Sequence, residues 1–207
     1  MPILDFEKFK DNFSMSIHRP RVFTQPIFIG LLFFGILFVF YKLNQYISPW
    51  ENYKQAGGNA TDFCEMNRFD QLIVQPSNTW SNILFIIVAF IIISIAKNDH
   101  KYFERSSINN LVARYPGFSF LLGCSTLYLG LGSFLYHGGL AHFFQKVDQT
   151  GMYFVLISAI AYNMFKIFPK IRWKKTLRSS HKFIIGCALV LMLAFYLYLW
   201  KMPINII

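Results

Sequence analysis

The sequence predicts an all-α, polytopic transmembrane bundle, and three observations carry that prediction. Of 207 residues, 55% are hydrophobic and 19% aromatic, too apolar for a domain of this length that must also face water. The apolar residues gather into five runs, at about 23–47, 79–96, 117–136, 151–168 and 183–200, close to the ~20 residues a helix needs to cross hydrocarbon. The interiors of the runs are nearly free of charge, and the basic residues collect in alternate gaps.

The first run is longer than the ~7 to 15 residue core of a signal peptide and no small-x-small cleavage site follows it, so it reads as a retained span. Residues 1–22 are short, polar and partly amphipathic, and are expected to lie along the inner surface as a cytoplasmic N-terminal segment. Residues 23–207 show no internal repeat, low-complexity linker or composition shift, and read as a single membrane domain.

The net charge is +10. Lys8, Lys10, Arg19 and Arg21 precede the first run. Lys97, Lys101, Arg105 and Arg114 follow the second, and seven Lys and Arg residues between Lys166 and Lys182 surround the gap between the fourth and fifth. The other gaps carry only Lys54 and Arg68, then Lys146. By the positive-inside rule the N-terminus is cytoplasmic and the C-terminus outside. The basic runs are then read as orienting the protein against anionic lipid, with no nucleic-acid partner. Cys64, Cys124 and Cys187 form no metal-binding or redox spacing. Asn59 opens an Asn-Ala-Thr sequon on the expected outer side.

Two polar clusters fall in outer gaps. "AGGNATDFCEMNRFD", residues 56–70, is rich in Gly, Asn and Asp, so it reads as a loop capping the helices. "GSFLYHGGLAHFFQKVDQTGM", residues 132–152, carries Ser133, His137, His142 and Asp148 at a membrane boundary. Ser133 and His137 are one helical turn apart, and Asp148 follows a short connection to the next helix, where the dipole favours a carboxylate. Ionisable groups at such a boundary are functional candidates because burying them unpaired is costly. From the residues alone, a hydrogen-bonded interfacial histidine and a catalytic or metal-binding one both stay open for His137.

"DFCEMNRF" from Asp62, "SNTWSNILFI" from Ser77, "LGSFLYH" ending at His137 and "QKVDQTGM" ending at Met152 together resemble the alkaline ceramidase family, in the wider CREST group of membrane hydrolases, over about residues 62–168. The resemblance implies a seven-helix bundle in which three histidines hold zinc and a water is activated to attack an amide. His137 matches the first zinc ligand, Ser133 the serine beside the water, and Asp148 the aspartate acting as general base and then acid. It also implies a calcium ion bound by Asp62, Glu65 and Asn67, with the Phe63 carbonyl as a further donor. The implied function is a membrane-embedded, zinc-dependent amidase that hydrolyses ceramide-type sphingolipids to a long-chain base and a fatty acid, with its polar site on the non-cytoplasmic face. The alternative is a catalytically inactive lipid- or calcium-binding protein on the same scaffold.

The chain departs from the family pattern at several positions. Where the family has a glutamate before its first helix, this chain has Gln75 or Pro76, which predicts weaker calcium binding. Gln149 replaces an acid, and Gly151 a proline. The family's His-x-x-x-His pair has no counterpart, since the histidines are His18, His100, His137, His142 and His181. His18, His100 and His181 fall on the expected inner side, and His142 reads as interfacial. The run at 23–47 then reads as an addition ahead of the family's first four helices, and the chain as the front portion of a longer enzyme.

Overall fold

The computed structural model describes residues 20–43, 64–102, 111–173 and 176–201. Asp62, Phe63, His18 and the segment 1–19 lie outside them, as do residues 44–47 of the first apolar run. In chain order the described elements are α1 (Pro20–Leu43), α2 (Pro76–Ser81), α3 (Ile83–Tyr102), α4 (Leu111–Arg114), α5 (Pro116–Gly139), α6 (His142–Ile167), a hairpin of β1 (Lys170–Trp173) and β2 (Thr176–Ser179), and α7 (His181–Lys201).

Four stretches are long and apolar enough to cross a membrane: Pro76–Lys101, which joins α2 to α3, then Pro116–Gly139, His142–Ile167 and His181–Lys201. They correspond to the last four expected spans, so the chain has the architecture of a multi-pass, all-α membrane protein. The first apolar run is the helix α1, packed beside α3. Most helices extend beyond the apolar runs, because polar residues at a membrane boundary still complete backbone hydrogen bonds that hydropathy does not register. Pro76 and Pro116 stand in the first turns of α2 and α5, where a missing N–H leaves no bond unmade.

The hairpin was not anticipated in the basic gap between the fourth and fifth runs. Its strands pair antiparallel, Lys170 opposite Ser179 and Trp173 opposite Thr176. Lys-Ile-Arg-Trp alternates polar and apolar residues with the period of a strand, and Thr-Leu-Arg begins the same way before Ser179; two short strands between spans leave the fold class unchanged.

Helix α5 is the centre of the bundle, with α3 on one side and α6 on another. Against α6 it runs antiparallel. The Phe118 ring centroid lies 5.1 Å from that of Phe165, the Ser125 and Ser158 hydroxyls are 2.9 Å apart, and Tyr128 meets Phe154. Close approach is enforced near the 132–152 boundary. A methyl group placed on Gly151 would come within 2.6 Å of Leu129 Cα, and one on Gly132 within 3.1 Å of the Asp148 nitrogen. Association in lipid relies on such small-residue contacts, because lipid tails are as apolar as leucine. Leu84, Val190 and Leu193 correspondingly face outward, each more than half exposed.

A two-residue turn, Leu140 and Ala141, joins α5 to α6. Leu140 adopts the left-handed conformation at φ 46°, ψ 33°, and its N–H donates to the Tyr136 carbonyl at 2.6 Å. That conformation costs a non-glycine residue about 1–2 kcal/mol. Leu140 is nonetheless fully buried against Val74 and Tyr136, and burying a leucine contributes about 1.5–3 kcal/mol, so packing outweighs strain. Leu140→Ala keeps the strain and loses the packing. It is expected to destabilise the chain by about 2–5 kcal/mol, read as a lowered melting temperature in detergent.

Candidate functional site

The site forms where two sets of unsatisfied backbone groups meet. The last carbonyls of α5 have no partner inside their helix, and the chain before α2 supplies donors: Val74 N–H to the Gly138 carbonyl at 2.9 Å and Gln75 N–H to the His137 carbonyl at 3.1 Å. The first amides of α2 are likewise unpaired within the helix. Glu65 reaches across 12 and 13 residues to accept both, Ser77 N–H at 2.8 Å and Asn78 N–H at 2.9 Å. Partial burial pulls the Glu65 carboxyl upward, but these amides and the nearby Arg68 guanidinium outweigh it and hold the group below its ordinary value. The acidic loop is thereby docked on the end of α5.

This docking brings His137 to the loop. Its Nδ1 lies 2.7 Å from Gln75 Oε1, Gln75 Nε2 donates to Asn67 Oδ1 at 2.6 Å, and Asn78 Nδ2 approaches Gln75 Oε1 at 3.4 Å. The Glu65 carboxylate is within electrostatic reach of the imidazole. One turn earlier on α5, Ser133 lies beside the Asp148 carboxylate on α6. Its Oδ1 is buried with no partner among the described residues, as is Thr79 Oγ1. An unpaired buried oxygen is costly, so each such atom calls for a partner from outside the chain or a role.

Ser133, His137, Asp148, Glu65 and Asn67 therefore share one end of the bundle, as their placement in outer gaps predicts. Asp62 lies outside the described residues. His142, in the first turn of α6, has a local partner, its Nδ1 3.3 Å from Gln145 Oε1. His100 and His181 sit at the opposite end, beside Pro116 and Tyr115 respectively. A cleft lined by Lys97, His100, Pro116 and Phe120 also opens there, away from the polar cluster.

The sequence model of the ceramidase family matches residues 56–206, from the acidic loop through α7. The chain belongs to the ceramidase family. No curated protein and no solved structure matches it significantly.

The metals that a ceramidase of this kind implies can be weighed against the donors present. Among the described residues no group of three or more His, Cys, Asp or Glu side chains converges as a metal site. His137 fits as one zinc donor. With Nδ1–H given to Gln75, the lone pair of the neutral ring resides on Nε2, and a ligating histidine commonly has its other nitrogen fixed by a carbonyl oxygen in this way. The described residues do not supply the two further histidines. For calcium, Glu65 and Asn67 offer the hard oxygens the ion prefers. Their oxygens accept hydrogen bonds here, and each keeps a further lone pair.

Gln75 is the member of the site that sequence reasoning missed. It was read as a replaced calcium ligand, and it bonds to His137 instead. No spacing rule links positions 62 residues apart; the only signal was a polar residue immediately before Pro76 at the start of a span. Gly151, the other departure, has a packing reason in its contact with Leu129.

Proposed function

We propose that the chain is a membrane amidase acting on ceramide-type sphingolipids, releasing a fatty acid and a long-chain amine. The observation that carries this reading is the buried Asp148 carboxylate, whose Oδ1 has no partner among the described residues and which lies beside Ser133, itself one helical turn from His137. Membership of the ceramidase family supports the same reaction class.

In this reading Asp148 Oδ1 accepts a proton from the attacking water as its oxygen bonds to the amide carbon. The carboxyl then delivers that proton to the nitrogen as the C–N bond breaks. The Ser133 hydroxyl donates to the oxygen on which negative charge develops. His137 contributes Nε2 as a zinc donor. Zinc, when bound, polarises a carbonyl and acidifies a water. The loop, through Glu65, Asn67 and Asp62, is proposed to bind calcium and so to brace the same end of the bundle. The polar end faces the non-cytoplasmic side and the basic hairpin the cytoplasm, which accords with the charge distribution. Acyl chains would reach the site from the surrounding lipid, between outward-facing apolar side chains.

Purified protein in detergent, given a ceramide with a labelled acyl chain, is expected to release labelled fatty acid, and His137→Ala to abolish release and reduce bound zinc. Hydrolysis unchanged in His137→Ala would overturn the assignment of this site. Lipid or calcium binding without any turnover would favour the inactive scaffold.

A further inference from the structure

We infer that Gln75 is a positioning residue for His137, holding its imidazole in the Nδ1–H form and tying it to Asn67 of the acidic loop. The functional meaning of this link rests on the proposal that His137 donates Nε2 to a metal; the link itself rests on hydrogen bonds.

Gln75 is 0% exposed, so water cannot replace its partners. Its amide orientation is set from two sides. Nε2 donates to Asn67 Oδ1, and Oε1 receives Asn78 Nδ2; exchanging the two would set donor against donor at Asn78. Asn78 is anchored in turn, its N–H on Glu65 and its carbonyl accepting from Ser81 Oγ at 2.9 Å and Asn82 Nδ2 at 2.8 Å. The backbone of Gln75 is extended, at φ −124°, ψ 83°, as a residue before proline prefers, and its N–H is bonded to the His137 carbonyl. Gln75 thus holds His137 by main chain and side chain together. An amide oxygen only accepts, so Nδ1 must carry the proton and the lone pair falls on Nε2. Because the amide is neutral, Gln75 sets the orientation of the ring without adding charge of its own.

The test uses the full chain in detergent micelles, stripped of metal and labelled with ¹⁵N in histidine imidazoles, with the His137 signals assigned by their loss in His137→Gln. Two-bond ¹H–¹⁵N correlations are expected to show His137 favouring Nδ1–H by about tenfold, the ratio one ordinary hydrogen bond supplies. Gln75→Glu retains an acceptor oxygen and is expected to preserve that pattern. Gln75→Leu is expected to shift the ring toward Nε2–H. Asn67→Ala frees the amide to rotate and is expected to give a mixture of the two forms. A wild-type ring in the Nε2–H form, or an unchanged pattern in Gln75→Leu, would overturn the role of Gln75, and an unchanged pattern in Asn67→Ala would overturn the tie to the loop. If Gln75→Leu does not fold, the wild-type, Gln75→Glu and Asn67→Ala spectra still decide. The expected pattern in a chain that releases no fatty acid would sink the amidase and keep this inference. Hydrolysis with the pattern absent would do the reverse.

Discussion

Asp148→Asn is expected to lower the proposed amide hydrolysis by about 10²- to 10⁴-fold, the range a positioned general acid–base contributes, without lowering the melting temperature. Both halves of this expectation come from one oxygen of the carboxylate, Oδ1, which is buried with no partner among the described residues. A carboxylate kept for stability would have both oxygens paired, because an unpaired buried acceptor costs about 1–3 kcal/mol. Asparagine is nearly the same shape and removes the charge, so the packing is kept while the proton acceptor disappears. Fatty-acid release and thermal unfolding measured in the same detergent separate the alternatives. Unchanged release would remove Asp148 from the chemistry, and a large drop in melting temperature would make it a structural group.

Gly151→Ala is expected to destabilise the bundle by about 1–3 kcal/mol and to reduce hydrolysis with it. The added methyl would fall 2.6 Å from Leu129 Cα and 3.1 Å from its nitrogen. Backbone cannot swing aside as a flexible side chain can, so α5 and α6 must part. Asp148 lies one turn from Gly151 on α6, and the separation would lengthen its contact with Ser133. Gly186→Ala in α7 is the control. Nothing lies within 4 Å of its new methyl, and replacing glycine by alanine inside a helix gains about 0.5–1 kcal/mol. Melting temperatures for the two variants should therefore move in opposite directions. Equal, small effects would show that the contact at Leu129 does not govern the spacing of the helices.

What could be read from the sequence follows from the range of each signal. Hydropathy is local, so the four candidate spans after residue 75 were legible, though not their polar ends. Charge distribution brought Glu65, Asn67, Ser133, His137 and Asp148 to one end of the bundle, because alternate gaps must lie on the same side. The Gly-Ser-x-x-x-His spacing put Ser133 and His137 one turn apart. It could not show that they engage different neighbours, Asp148 for one and Gln75 for the other, since which helix lies beside each face is decided by packing. The hairpin was hidden for a different reason: two four-residue strands in a gap crowded with Lys and Arg read first as a topological signal. Gln75 was beyond reach because its partner is 62 residues away and its meaning depends on where the loop docks.

The loop is fastened to α5 through Val74 N–H on Gly138 and Gln75 N–H on His137. Peptide groups make those two bonds, and a substitution to any residue other than proline leaves the donating N–H in place. That seat is thus indifferent to the side chain at 74, whereas Glu65 and Asn67 hold Ser77, Asn78 and Gln75 by their side chains, so an exchange at either reaches His137 as well.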